Sequence, residues 1–381
     1  MIQDAPVHRA VVTGFGWLAA PSFARAIEGT QSAPPEIAPE ITGFETPDGA
    51  PAFGFEALDF KIETYLPNLK TYVDRTSALA LAAAKLALAD AGLLEREARP
   101  AGVEIGCSYA TTFGCLEAMG LFWKKVKSTN PKFAPPLPFT HGYANSPSSL
   151  VCIEYGLKGS AATFSGQETS GLEALLFAFD QIASGSSRIV LVCASESLTR
   201  PVHAHLHAGR RLSASGQLGL WQPSNDGIVP GEGAVGWVVE SEASAKARNR
   251  TPCATLAGVA LAAGEGALAG ALAELGAPDD PLLVCASSPD RAAIDREEAA
   301  ALKSRAFGVK AAVVAPKLFS GELFSVSPLL GGVLAARAAH HVPGLFPLTA
   351  SLLPKDCRTA WVSGRDPNGS AGAARLDFPL R

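Results

Sequence analysis

The segment 163–176, TFSGQETSGLEALL, reads as a strand, a sharp turn and a helix. A turn of this kind presents one side chain at a helix N-terminus, where unpaired backbone N–H groups and the helix dipole stabilise negative charge. It is a good place for a nucleophile, and equally an ordinary connection from strand to helix. The side chain at its centre is Glu168, flanked by Gln167, and Ser165, Thr169 and Ser170 are expected to satisfy the turn and cap the helix. A second cluster is His203, His205 and His207, whose i, i+4 pair has the spacing of a metal site on a helix. No flanking carboxylate has ligand spacing, so these are read as surface or interface histidines, and neither a metal nor a cofactor is expected. Cys285 lies in LLVCA, an apolar setting that predicts an inert buried thiol.

These residues must be held by elements, and the chain has the material for them. It has 381 residues, of which 48% are hydrophobic and 18% charged, which excludes a disordered chain and a small stapled scaffold. The formal charge is −4 and no long basic run occurs, so nucleic-acid and anionic-membrane surfaces are not expected. Seven scattered cysteines without a C-x-x-C pair fit reduced thiols. No secretory signal pattern opens the chain, and no window reaches the roughly 18 apolar residues of a membrane span, so a soluble, cytoplasmic protein is expected.

Short Val- and Ile-rich runs alternate with Ala/Leu-rich helical stretches, the order of an α/β fold. Strands are expected at Ala10 to Thr13, Gly102 to Cys107, Ala162 to Ser165, Arg188 to Ala194, Ala234 to Glu240, Leu282 to Ala286, Val309 to Ala315 and Ala360 to Val362. The clearest helix runs from Asp74, its N-cap, to Ala91, with Gly92 closing it. Others span about Ser170 to Ser184 and Ala292 to Lys303, the latter carrying Asp295 and Glu298 one turn apart. Thr129 to Ser149, rich in Pro, Gly and Asn, reads as a long irregular loop with an interface or functional role. The polar stretch after Glu240 reads as the boundary between two halves, 1–240 and 241–381.

Five segments in order, VVTGFG, DRTSALALAAAKLALADAGL, GLKGSAATFSGQETSGLEAL, NDGIVPGEGAVGWVVE and PKLFSGELF, resemble the landmarks of the β-ketoacyl synthases, condensing enzymes of the thiolase superfamily. The resemblance covers essentially the whole chain. It implies an α/β, thiolase-like, five-layered αβαβα fold of two pseudo-duplicated halves, dimerised through the first. It also implies a Cys that attacks an acyl thioester and two His that help decarboxylate a malonyl thioester on an acyl carrier protein. All three positions differ here. Glu168 stands for the Cys, Ser287 for the His of V-N-A-H-G-T-G, and Glu322 for the His of K-S-x-x-G-H. Lys317 matches the family Lys, Asp295 and Glu298 match its acidic pair, and the late Phe-rich gate loop has become Pro367-Asn368-Gly369-Ser370-Ala371.

A carboxylate attacking a thioester would give a reactive mixed anhydride, and loss of one preorganised donor already costs about 10²–10³ in rate. The chain therefore looks like a chain-length factor, the non-catalytic β subunit of a type II polyketide synthase, although those subunits commonly carry Gln in place of the Cys. The resemblance implies a catalytic ketosynthase subunit as heterodimer partner, with an acyl carrier protein and a growing acyl chain in a shared tunnel. Tunnel candidates are Phe113, Leu116, Met119 and Phe122, on a helix expected after a turn at Gly106, and Phe139-Thr140-His141 should reach across the dimer. Each of these is equally compatible with plain core packing. Two other readings are an active enzyme with Glu168 as general base and a scaffolding homodimer.

Overall fold

The computed structural model describes residues 8–28, 30–31, 33–46, 49–68, 73–278, 281–306, 309–339 and 357–378. The strands are β1 (Ala10–Leu18), β2 (Ile105–Thr111), β3 (Ala161–Ser165), β4 (Ile189–Glu196), β5 (Gly233–Ser241), β6 (Ala254–Ala263), β7 (Leu282–Cys285), β8 (Ala311–Val314), β9 (Thr359–Arg365) and β10 (Ser370–Asp377). The helices of the first part are α1 (Pro21–Glu28), α2 (Arg75–Asp90), α3 (Leu116–Ser128), α4 (Pro136–Thr140), α5 (Ser146–Tyr155), α6 (Glu168–Ala183), α7 (Arg200–Ala208) and α8 (Glu242–Ala247). Then follow α9 (Ala267–Glu274), α10 (Ala292–Arg305), the single turn α11 (Lys317–Ser320) and α12 (Ser327–Ala339).

The strands join in the order β3-β2-β4-β5-β1-β6-β10-β9-β7-β8. Numbered within each set of five, this is 3-2-4-5-1 followed by its mirror order 1-5-4-2-3. The directions repeat as well. In each set the second strand is parallel to the third and fourth, and the fifth is antiparallel to the fourth and the first. The sets meet only at Val11↔Thr255 and Val12↔Ala254, two pairs of β1 with β6.

Side-chain alternation explains why the strands read as unbroken apolar runs. On β4, Val190, Val192 and Ala194 face one core and Ile189, Leu191 and Cys193 another; on β7, Leu283 and Cys285 part from Leu282 and Val284 in the same way. The central core holds α6 and α12 between the two sets of strands. Leu172 and Leu175 share one buried cluster with Val192 and Val235 of the first set and Leu256 and Val362 of the second. α2 covers the outside of the first set, through Leu81 and Leu88, and α9 and α10 cover the second, through Leu268 and Leu302. This is the five-layered αβαβα order.

α2 begins as the sequence indicates, with the Asp74 carboxylate accepting from the Thr76 N–H. Several expectations change. β6 and β10 were unforeseen, because ATLAGVALAA and SAGAARLD are rich in Ala and Gly, and their extended form comes from pairing with each other rather than from propensity. The segment 129–149 is not one irregular loop: it contains α4, with proline in its first turn, and the start of α5. The stretch after Glu240 is the end of β5 and α8, capped by Ser241. Gly106 lies inside β2, so the turn before α3 is instead at Thr112–Cys115, where Gly114 takes φ +56. No described helix is long and apolar enough to cross a membrane.

Candidate functional site

Glu168 is the first residue of α6, and Ser287, Lys317 and Glu322 follow β7, β8 and α11. The fold brings all four together at the ends of these strands, the edge where open α/β sheets build their sites. Ser287 Oγ donates to both Glu168 oxygens, at 2.9 and 2.7 Å. Lys317 Nζ lies 2.7 Å from Glu168 Oε1 and 2.5 Å from Glu322 Oε2. The second Glu322 oxygen accepts from the Phe324 N–H at 2.6 Å and from Ser327 Oγ at 2.9 Å. All four residues are buried, with relative exposures of 2–4%.

The electrostatics follow from burial. Desolvation pushes the Glu168 carboxyl well above its ordinary range and the Glu322 charge adds to this, while Lys317 and Ser287 pull it back. For Lys317 burial acts downward, but the two carboxylates outweigh it and keep the ammonium charged. The void beside the cluster, lined by Glu168, Cys285, Ser287, Lys317 and Ser363 among others, encloses about 10 Å³. That is room for one water at most. Both Glu168 oxygens are therefore engaged, in a site almost closed to solvent.

The acidic pair of α10 holds the same cluster from behind. Glu298 accepts from the backbone N–H groups of Ser287 and Ser288 at 2.7 and 3.0 Å, from Ser363 Oγ and from Trp221 Nε1. Asp295, pushed up to about 6 by burial, accepts from Asn225 Nδ2 at 2.6 Å and from the Asp290 N–H. Cys285 donates to the Gly331 carbonyl oxygen at 3.1 Å, and burial pushes its thiol up, in keeping with an inert core residue. The α6 N-terminus is not capped by its own hydroxyls as expected. Asp366, in the turn from β9 to β10, accepts from the Thr169 N–H at 3.0 Å and from its hydroxyl, while Ser170 Oγ turns back to the Gln167 carbonyl oxygen. The Asp-Pro-Asn-Gly run signals the turn, but nothing local signals which helix it caps. Gly171 lets α6 cross the following layer closely, since a Cβ there would lie 2.0 Å from the Ser325 carbonyl oxygen.

On the other side of the α6 N-terminus the surface is open. A cleft of about 460 Å³ is lined by Thr112, Phe113, Leu116, Ser165, Gly166, Gln167, His205, Leu206 and Arg211. Phe113 stacks edge-on against Phe324 at 5.0 Å and His205 at 5.9 Å. Behind it, the fully buried Glu196 accepts from the Thr112 and Phe113 N–H groups and from Ser325 Oγ at 2.6 Å. It has no cationic partner among the described residues, and burial pushes it up to about 7. Sequence reasoning missed both Glu196 and Arg211; a charged residue ending the apolar run IVLVCASE was the one available sign of the first.

Of the four tunnel candidates, the structure brings Phe113 and Leu116 to this cleft, and Phe113 precedes α3 rather than lying on it. Met119 and Phe122 do not line it. Met119 packs on Gly142, and Phe122 stacks on Trp123 and Phe139 at 5.5 and 5.2 Å. Phe139 and Thr140 end α4 and His141 caps it, next to an exposed apolar patch of Leu121, Trp123, Phe133, Leu137 and Tyr143. His203, His205 and His207 lie on α7, the first and last stacked at 6.3 Å, and among the described residues no group of three or more His, Cys, Asp or Glu is arranged to hold a metal.

The model of the β-ketoacyl synthase N-terminal domain matches residues 36–245. A putative polyketide β-ketoacyl synthase 2 of Streptomyces coelicolor is 29% identical, over 97% of this chain and 95% of its own. The tetracenomycin polyketide synthase ketoacyl synthase β subunit of Streptomyces glaucescens is 31% identical over 73% of each chain. Among solved structures, the ishigamide ketosynthase/chain length factor superposes with a TM-score of 0.83 at 21% identity, covering 98% of this chain and all of that one. With the family model spanning more than half of its length, this chain belongs to the β-ketoacyl synthase family.

Proposed function

We propose that the chain is the non-catalytic chain-length-factor subunit of a heterodimeric β-ketoacyl-[acyl carrier protein] synthase, limiting the length of a polyketide or polyene made by its catalytic partner. The observation that carries this reading is the plug at the nucleophile position: Glu168 tied to Ser287 and Lys317, with Lys317 also held by Glu322. A catalytic ketosynthase subunit then supplies the Cys and both His, and an acyl carrier protein delivers the chain. The names of relatives support this assignment, two being a polyketide β-ketoacyl synthase 2 and one a ketoacyl synthase β subunit. So does a neighbour solved as a type II polyketide synthase acyl-carrier protein with its ketosynthase bound to the hexaketide, at a TM-score of 0.77.

The partner sits on the exposed α3–α4 patch, where Phe133 is 72% exposed, with Phe139, Thr140 and His141 at the crossing. An apolar patch of this kind marks an interaction surface. Phe113 and Leu116 form the tunnel floor in the cleft beside it. The two halves are 1–240 and 241–381, a division supported by the repeated strand order.

Co-expression with a catalytic ketosynthase should yield a stable heterodimer by size measurement. The chain alone, offered acyl and malonyl carrier-protein thioesters, should not turn over. Turnover without a partner would favour the enzyme reading, and a homodimer that ignores the ketosynthase would favour the scaffold. In the heterodimer, Phe113→Ala or Leu116→Ala should lengthen the product; unchanged length in both would sink the tunnel-floor role.

A further inference from the structure

The cleft that is lined by Phe113 and Leu116 is not the greasy pocket that a hydrocarbon end would favour. Its apolar side chains, Phe113, Leu116 and Leu206, face Thr112, Ser165, Gln167, His205 and Arg211. Among the part-buried arginines, Arg99 and Arg211 lack a carboxylate partner, and Arg99 spends its donors on the Leu93 and Leu94 carbonyl oxygens. Arg75, Arg248 and Arg375 each pair with a carboxylate, at 2.6, 2.7 and 2.9 Å. Arg211 has no carboxylate partner among the described residues. Its one hydrogen bond there runs from Nη1 to the Gln167 amide oxygen at 2.7 Å, and its guanidinium lies 6.0 Å from the centroid of the Phe324 ring.

A guanidinium has five N–H donors in a rigid fork, so the bond to Gln167 orients the group and leaves donors for a ligand in the cleft. Resting on the reading of this cleft as the tunnel floor, we propose that Arg211 makes it selective for an oxygenated acyl chain, donating to carbonyl oxygens near the starter end of a poly-β-ketone. The positive charge strengthens hydrogen bonds to neutral carbonyls. A methyl-ended hydrocarbon would strip water from the same donors and return nothing, the asymmetry by which a polar site rejects an analogue lacking its partner group. Gln167 is a positioning residue in this scheme, and Phe113 and Leu116 supply the apolar floor that sets length. Selection by length and selection by oxygen content thus belong to different side chains of one cleft.

The test uses the heterodimer with its catalytic ketosynthase, loaded with acyl chains in a series of lengths. Each length is made with either a plain methyl end or a ketone one carbon from that end, and extension by malonyl carrier protein is measured as kcat/KM. At lengths that reach the cleft, the wild-type complex should favour the ketone-ended chain by roughly 10-fold or more. Arg211→Leu should abolish that preference without moving the length cut-off, Arg211→Lys should retain part of it, and Gln167→Leu should reduce it. A wild-type complex with no preference, or an Arg211→Leu complex that keeps it, overturns the proposal. If Arg211→Leu fails to pair, the Lys and Gln167→Leu complexes decide, since a preference equal to wild type in both overturns it. Phe113→Ala, run in parallel, separates the two levels: a moved length cut-off with no ketone preference rejects Arg211 alone, whereas an unmoved cut-off and no preference reject the tunnel-floor reading itself.

Discussion

The two sides of the α6 N-terminus hold buried acidic groups in opposite ways. On one side Glu168 and Glu322 share Lys317, and the group fills its space to about 10 Å³. On the other, Glu196 stands alone behind the wall of a cleft of about 460 Å³, held by N–H and O–H donors with no counter-ion among the described residues. The paired cluster fills its own side of the helix end. The lone carboxylate braces the Thr112–Phe113 turn and leaves the space in front of it open. One helix end thus separates a filled, ion-paired cluster from an open cleft.

Breaking the pairing should have the largest effect. Lys317→Met leaves two carboxylates in a dry site and should cost roughly 3–5 kcal/mol in denaturant unfolding, whereas Glu168→Gln, Lys317→Met and Glu322→Gln combined should recover most of the loss. A single Lys317→Met variant of wild-type stability would mean that the cluster is not closed as described.

The lone carboxylate gives the next largest effect, and it depends on pH. Glu196 is raised from 4.5 to about 7, so the folded chain holds a proton that the unfolded chain releases, and the associated stability is complete below about pH 4.5 and lost as pH rises through 7. A rise of this size corresponds to roughly 3 kcal/mol. Glu196→Gln should flatten the unfolding free energy across this window; an unaltered pH slope would remove Glu196 as its source. The smallest effect belongs to the cap that both sides share. Asp366→Ala should cost about 1 kcal/mol, with Asp366→Asn keeping part of it.

What could be read in advance depended on whether the cause was local. Asp74 and Gly92 bracket α2 because capping acts within a few residues. The β7 run LLVC was readable because both faces of the strand are buried, which leaves an unbroken apolar signal. β6 and β10 were hidden, since their Ala- and Gly-rich runs are extended only because each has the other, and β1 or β9, beside it. Within the site, Glu168, Ser287, Lys317 and Glu322 were legible as residues of interest, but not the contacts of Glu168 with Ser287 and Lys317, which join segments far apart in sequence. Phe113 and Leu116 were separable from Met119 and Phe122 only in three dimensions, because the turn at Gly114 sends the first pair into the cleft and the path of α4 takes the second pair to the patch.

Residue identity alone determined which groups stand at 168, 287 and 322, two carboxyls and a hydroxyl, since each keeps its intrinsic chemistry wherever it is placed. Tertiary structure decided which partners these groups have. Glu168 and Lys317 are 149 residues apart in sequence and 2.7 Å apart in the fold, and Glu196 lies 129 residues from the Ser325 hydroxyl it binds. Charge compensation and desolvation are set by distance and burial, and these exist only once the layers have closed around α6.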